Sequence, residues 1–185
     1  HYTGYVVEPP ARPGSAVGKG EVLVSAGGGA VGLPLLRAAL AARPLSKASA
    51  LPWRLLVGRN EGDAGLAELV AAAPEGVVVE RARPDFTDLL ANCALSVSQA
   101  GYNTVMETVV RRRPAVLVPF TEGKPDSEQD LRADLLARRG VVEVVREAEL
   151  GPASLAAAVD RALGRTPASL NVNTCLLYTS PSPRD

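Results

Sequence analysis

The chain is poor in the residues that build metal and disulfide sites. Its 185 residues include two cysteines, Cys93 and Cys175, and one histidine, His1. The cysteines form no CxxC pair and have no metal-ligand spacing, which argues against a structural zinc site and a disulfide framework. So little cysteine suits a reducing compartment. No run of about 18 apolar residues occurs, so no membrane-spanning helix is expected, and the opening residues have no signal-peptide layout. Neither sign of charge is in excess: Lys+Arg and Asp+Glu both total 20. That balance argues against broad nucleic-acid binding, which needs a basic surplus. Aromatic residues make up only 4%, against 46% hydrophobic residues in all. A core of small aliphatic side chains, of α/β type, follows.

What is present alternates. Apolar runs read as buried strands at Glu21 to Ala26, Trp53 to Gly58, Gly76 to Glu80, Ala94 to Ser98, Ala115 to Phe120 and Val141 to Val145. Helical spacing falls between them, from about Val31 to Ala42, Ala64 to Ala73, Phe86 to Ala91, Tyr102 to Arg112, Ser127 to Arg139 (closed by Gly140) and Pro152 to Leu163. Strands of continuous Val/Leu character belong to a parallel sheet covered on both faces. The alternation predicts an α/β fold, a Rossmann-like doubly wound parallel sheet of about six strands. Residues 1–20, with Pro and Gly between Glu8 and Lys19, read as a linker leading into a domain over 21–165. Residues 166–185 read as a disordered tail. Its final run, Cys175 to Asp185, looks like a translated sequencing adapter and is set aside from fold reasoning.

Ligands of doubly wound sheets bind beyond the carboxyl ends of strands, so the loops there carry the information. Gly27, Gly29 and Gly32 fit GxGxxG after the first strand. Glycines let backbone approach a phosphate, and the following helix offers free N–H groups and a positive dipole end. A tight turn with no ligand is the alternative. The acidic residue that a dinucleotide site wants at the end of the second strand is missing, since Gly58-Arg59-Asn60 stands there. Arg59 could meet a phosphate or a base, or be a solvated loop arginine. After the fourth strand comes Ser98-Gln99-Ala100-Gly101, with Asn103 and Thr104 near a helix start as polar caps. Glu107 follows Thr104 on the same helical face. A carboxylate there can accept two hydrogen bonds from the vicinal hydroxyls of a ribose. The alternative is a capping box, Thr104-x-x-Glu107, without a ligand. The run Arg111-Arg112-Arg113 reads first as a solvated, dipole-complementing helix end and second as an anionic-membrane patch.

Ser98, Ala100, Gly101, Thr104, Glu107, Pro119 and Gln129 together resemble the donor-site signature of GT-B glycosyltransferases of the family 28 type. That group includes the bacterial transferase that adds N-acetylglucosamine to lipid-linked peptidoglycan precursor. The resemblance covers about Tyr5 to Leu163. It implies that Glu107 binds the ribose hydroxyls. It also implies that Ser98, Gly101, Asn103 and Thr104 form the turn and helix start that bind the diphosphate. Gly28 and Gly29 add phosphate contact, and Glu128 and Gln129 meet the sugar hydroxyls. The form SQAGYNTVME with EQDLRA is closer to a less characterised bacterial branch. Gln99 stands where the peptidoglycan enzymes carry a basic residue and Glu128 where they carry a second glutamine, which leaves the donor sugar open.

The resemblance further implies a UDP-sugar donor, no metal and no cofactor, and a preceding GT-B domain that holds the acceptor site and the catalytic base. The opening Tyr2-Thr3-Gly4-Tyr5 is similar to the linker between the two domains. The catalytic base is therefore not assigned in this chain. The implied location is cytoplasmic, with peripheral association of the full-length protein at the inner face of the membrane. A sugar-nucleotide 2-epimerase of GT-B architecture and a non-catalytic nucleotide-binding module are the competing readings.

Overall fold

The computed structural model describes residues 12–27, 31–121 and 127–168. Gly28 and Gly29 of the glycine turn, Tyr2 to Tyr5 and Cys175 lie outside the described residues. Six strands form one sheet: β1 (Val22–Ser25), β2 (Trp53–Val57), β3 (Val77–Arg81), β4 (Leu95–Ser98), β5 (Ala115–Leu117) and β6 (Glu143–Val144). All pairings are parallel, in the order β3-β2-β1-β4-β5-β6. The chain winds outward from β1 to one edge and then restarts beside β1 at β4. The switch point of a doubly wound sheet therefore lies between β1 and β4.

The helices are α1 (Leu33–Ala42), α2 (Asp63–Ala72), α3 (Phe86–Asn92), α4 (Tyr102–Val110), α5 (Glu128–Arg138) and α6 (Pro152–Leu163). Alternate strand residues face opposite sides. Val22, Val24, Leu55, Leu95, Val97 and Val116 join Leu36, Leu69 and Leu155 in one continuous cluster, which puts α1, α2 and α6 on one face. The other face carries two separate clusters. Leu23 and Leu56 pack with Leu89 and Leu90 of α3, while Ala115 and Leu117 pack with Val105 of α4 and Leu136 of α5. The central strands are buried on both sides, as their Val/Leu runs predict.

Several elements are shorter than the sequence pattern suggests. On the β4 side Val118 N–H makes the last bond of β5, to Ser98 O at 2.8 Å, and on the β6 side Pro119 has no N–H with which to extend the pairing. Helix α4 stops at Val110 and Arg112 turns to φ +52°. Arg113 precedes Pro114, and a residue before proline is pushed out of the helical region. Strand β6 keeps only two residues because Val141 is taken up by the end of α5. Gly140 has φ +70°, its N–H bonds Ala137 O at 2.9 Å, and Val141 N–H bonds Leu136 O at 3.0 Å. That is a Schellman closure. Short 3₁₀ turns at Arg43–Leu45, Lys47–Ala50 and Glu147–Glu149 have no counterpart in the periodicity.

The lead-in segment is tied to α3. Arg12 N–H and Nε both donate to the Asp88 carboxylate at 2.9 Å, and Asn92 Nδ2 donates to Ser15 O and Val17 O. The Arg12 backbone N–H, and then its guanidinium, hold the Asp88 carboxyl below its ordinary range.

Candidate functional site

The site is built from the switch point outward. Strand β1 runs out through Ser25 and Ala26 into Gly27, which has φ +69°. Only glycine takes that conformation without strain. Where the chain is described again, Gly32 is the N-cap of α1. A Cβ placed on Gly32 would fall 2.1 Å from the Ala26 Cβ. The helix start thus sits against the strand end at a distance that no other residue permits. First and third glycines of the motif therefore have distinct physical reasons, one conformational and one steric.

Strand β4 ends at Ser98, in register with Ser25 of β1. Gln99 and Ala100 lead into α4, whose N-cap is Gly101. This corrects the expectation of polar caps. Asn103, exposed, and Thr104, half-buried, lie inside the first turn, and no side chain caps it. The capping-box reading of Thr104 and Glu107 falls with it, because Thr104 stands three residues after the N-cap. Thr104 instead lends its carbonyl to Thr108 Oγ1 at 2.7 Å. Glu107 is only 7% exposed.

The two turns meet. Gln99 Nε2 donates to Val31 O at 3.3 Å, which bridges the β4 end to the start of α1. Between them opens a cleft of about 140 Å³, lined by Val31, Pro34, Gln99, Phe120, Glu147 and Leu150 among others. Its far wall is the segment after β5. Phe120 N–H donates to Gln129 Oε1 at 3.1 Å, and Thr121 donates through N–H at 2.9 Å and Oγ1 at 2.6 Å to Glu147 Oε2. Helix α5 then begins from Ser127, whose hydroxyl accepts Asp130 N–H. Glu128 projects into solvent and pairs with Arg132.

The structure places Ser98 at the end of β4, Gly101, Asn103, Thr104 and Glu107 at the start of and along α4, and Glu128 and Gln129 in the first turn of α5; none of these seven lines the cleft itself. Arg59, likewise off the cleft wall, lies in an exposed turn after β2. Arg81 Nη1 holds that turn through Gly58 O at 3.1 Å. Sequence reasoning missed Arg132, Thr121 and Glu147. Thr121 and Glu147 stand 26 residues apart and Arg132 and Ala100 32, so no local pattern marks these contacts. Among the described residues, no three of His, Cys, Asp and Glu group closely enough to hold a metal ion. No helix among them is long and apolar enough to cross a membrane.

A strand-end turn and a glycine N-cap on each side of a switch point define a domain of the doubly wound, Rossmann-like class. The family model "Glycosyltransferase family 28 C-terminal domain" matches residues 28–175. The chain belongs to that family. One curated relative, the UDP-N-acetylglucosamine–N-acetylmuramyl-(pentapeptide) pyrophosphoryl-undecaprenol N-acetylglucosamine transferase of Brucella anthropi, is 38% identical over 116 residues. That alignment covers 60% of this chain and 30% of the relative, so the chain spans less than a third of its length. The solved glycosyltransferase VinC in complex with DTDP superposes with a TM-score of 0.63 at 19% identity, over 85% of this chain and 37% of that one. Arabidopsis thaliana UGT89C1 complexed with UDP gives 0.56 at 18% identity, over 78% and 35%. These two likenesses, each over little more than a third of the solved chain, show the Rossmann-like fold of one domain of such enzymes.

Proposed function

We propose that residues 21–165 form the donor-binding domain of a two-domain transferase, which moves a hexosyl group such as N-acetylglucosamine from a UDP-sugar to an acceptor. One observation carries this reading. The helices flanking the switch point, α1 and α4, both open on a glycine N-cap without a side-chain cap among the described residues, and Gln99 ties their turns together. The first-turn backbone N–H groups of both helices, Pro34 excepted, and two positive dipole ends then lie at the same strand-end edge of the sheet. A diphosphate is the ligand that such an arrangement suits. Glu107, buried on α4, would accept the ribose hydroxyls. Gln129 and Glu128 would meet the sugar.

In the reaction the acceptor oxygen attacks the anomeric carbon, the bond to the diphosphate breaks, and the helix starts stabilise the charge on the departing diphosphate. The acceptor, and the base that takes its proton, would come from a preceding domain over which residues 1–20 form the link. Relatives of the fold were solved with DTDP and with UDP, so the fold alone does not choose the base. UDP is preferred for the identity to the Brucella anthropi transferase.

The test is calorimetric titration of the chain with UDP, UDP-N-acetylglucosamine, GDP, TDP and NAD, with Glu107→Ala beside it. A half-site lacking its closing domain should bind UDP at about 0.1–1 mM. UDP binding lost in Glu107→Ala supports the donor site. Preference for NAD, or UDP binding indifferent to Glu107, refutes it.

A further inference from the structure

We infer that Arg132 is a positioning residue of the donor site that sets recognition of the sugar; this rests on the donor-site reading above. Arg132 lies on α5 four residues after Glu128, and its side chain is 16% exposed. Nη1 donates to Ala100 O at 2.8 Å, and Nη2 pairs with Glu128. The guanidinium carbon sits 5.4 Å from the centre of the Tyr102 ring. Ala100 is fully buried and immediately precedes the N-cap of α4. One planar cation is thus fixed from three sides, using the fork geometry that lysine lacks.

The consequence is a fixed offset between two recognition elements. The first turn of α5 carries Glu128 and Gln129, the candidates for the sugar hydroxyls. The β4–α4 turn carries the N–H groups assigned to the diphosphate. Gln129 is held to the segment after β5 by Phe120 N–H. Arg132 is what references Glu128 to the phosphate end. It also offsets the charge of a carboxylate that is 85% exposed beside an anion site. Bare, that carboxylate would repel a diphosphate.

Helix α5 does not depend on Arg132 for its place. Ser127 caps it, Ala133 and Leu136 are buried in the core, and Arg146 binds both Asp130 and Asp134. A variant at position 132 should therefore fold, and circular dichroism checks that it does.

The experiment titrates the 185-residue chain and its Arg132→Met, Arg132→Lys and Arg138→Met variants with UDP and with UDP-N-acetylglucosamine. Arg138 is exposed on the same helix and serves as control. Arg132→Met should weaken UDP-N-acetylglucosamine by about tenfold and UDP by less than about threefold, with Arg132→Lys between. The ratio of the two affinities is the readout, because a merely structural loss would weaken both ligands alike. Equal weakening of both, no change in Arg132→Met, or the same loss in Arg138→Met overturns the proposal. An unaltered chain that binds UDP no more weakly than the UDP-sugar also overturns it, since no sugar contact then exists to position. A chain that binds neither ligand sinks the donor-site reading itself.

Discussion

The two faces of the sheet are built differently. Under α1, α2 and α6 the core is one unbroken aliphatic cluster. Under α3, α4 and α5 it is split in two, and the gap runs along β4. The cause is the sequence of that strand, Leu95-Ser-Val-Ser98. Leu95 and Val97 enter the first face, while Ser96 and Ser98 enter the second. Ser96 lies between Leu23 of β1 and Ala115 of β5, and Ser98 between Ser25 and Leu117. The hydroxyls of Ser25, Ser96 and Ser98 are buried and have no partner among the described residues. Glu107, also buried, comes from the same side. Burying polar groups in this way costs stability. The seamless face is apolar throughout its core, and the divided face carries buried polar groups.

That contrast can be broken by measurement. The largest effect should come from the seamless face: Leu155→Ala, fully buried in α6, should cost about 2–5 kcal/mol in chemical denaturation. A loss near zero would mean that this face does not bear the stability. Next is Gly32→Ala, where the new Cβ must displace Ala26. A cost of about 1–3 kcal/mol is expected, together with loss of UDP binding. Unchanged binding would separate the turn from the ligand.

Acid comes third. Arg83 holds the Asp85 carboxyl low, Arg12 holds Asp88 low, and Arg146 holds Asp134 low, all on the divided face. A carboxyl held low when folded keeps its full stabilising effect above the ordinary value near about 4, and loses it as pH falls toward the lowered one. The urea midpoint should therefore drop between about pH 5 and pH 3. Asp88→Asn with Asp134→Asn should flatten that drop. Glu68→Gln should do so less, because the Glu68–Arg37 pair of the other face is half exposed and screened. The smallest effect belongs to Ser96→Ala, a gain of less than about 1 kcal/mol if the hydroxyl is unsatisfied. A loss instead would show that the hydroxyl is engaged, and the divided face would be better bonded than it looks.

Much of this was legible in the amino-acid sequence, and the rest was hidden for identifiable reasons. Val- and Leu-rich runs marked the strands because most of their side chains face a covered side of the sheet. Gly27 and Gly32 were legible as a motif, and their separate causes appear only when β1 meets α1. The ends of β5 and α4 were misjudged where Pro119 and Pro114 act on their neighbours. Glu107 could be placed on α4 because its helix follows directly from the β4 turn. Arg132 could not, because its link to Ala100 exists only once strand order brings α5 beside α4. The capping by Asn103 and Thr104 was misread because Gly101 takes the N-cap, and a bare helix start has no sequence signature of its own.

Because every strand points the same way, every helix returns the same way, and the positive ends of their dipoles gather at one edge of the sheet. The chain has equal numbers of acidic and basic side chains. It is therefore a neutral molecule with a direction: attraction of anions should be confined to the strand-end edge and should fade beyond the Debye length, about 8 Å at physiological salt.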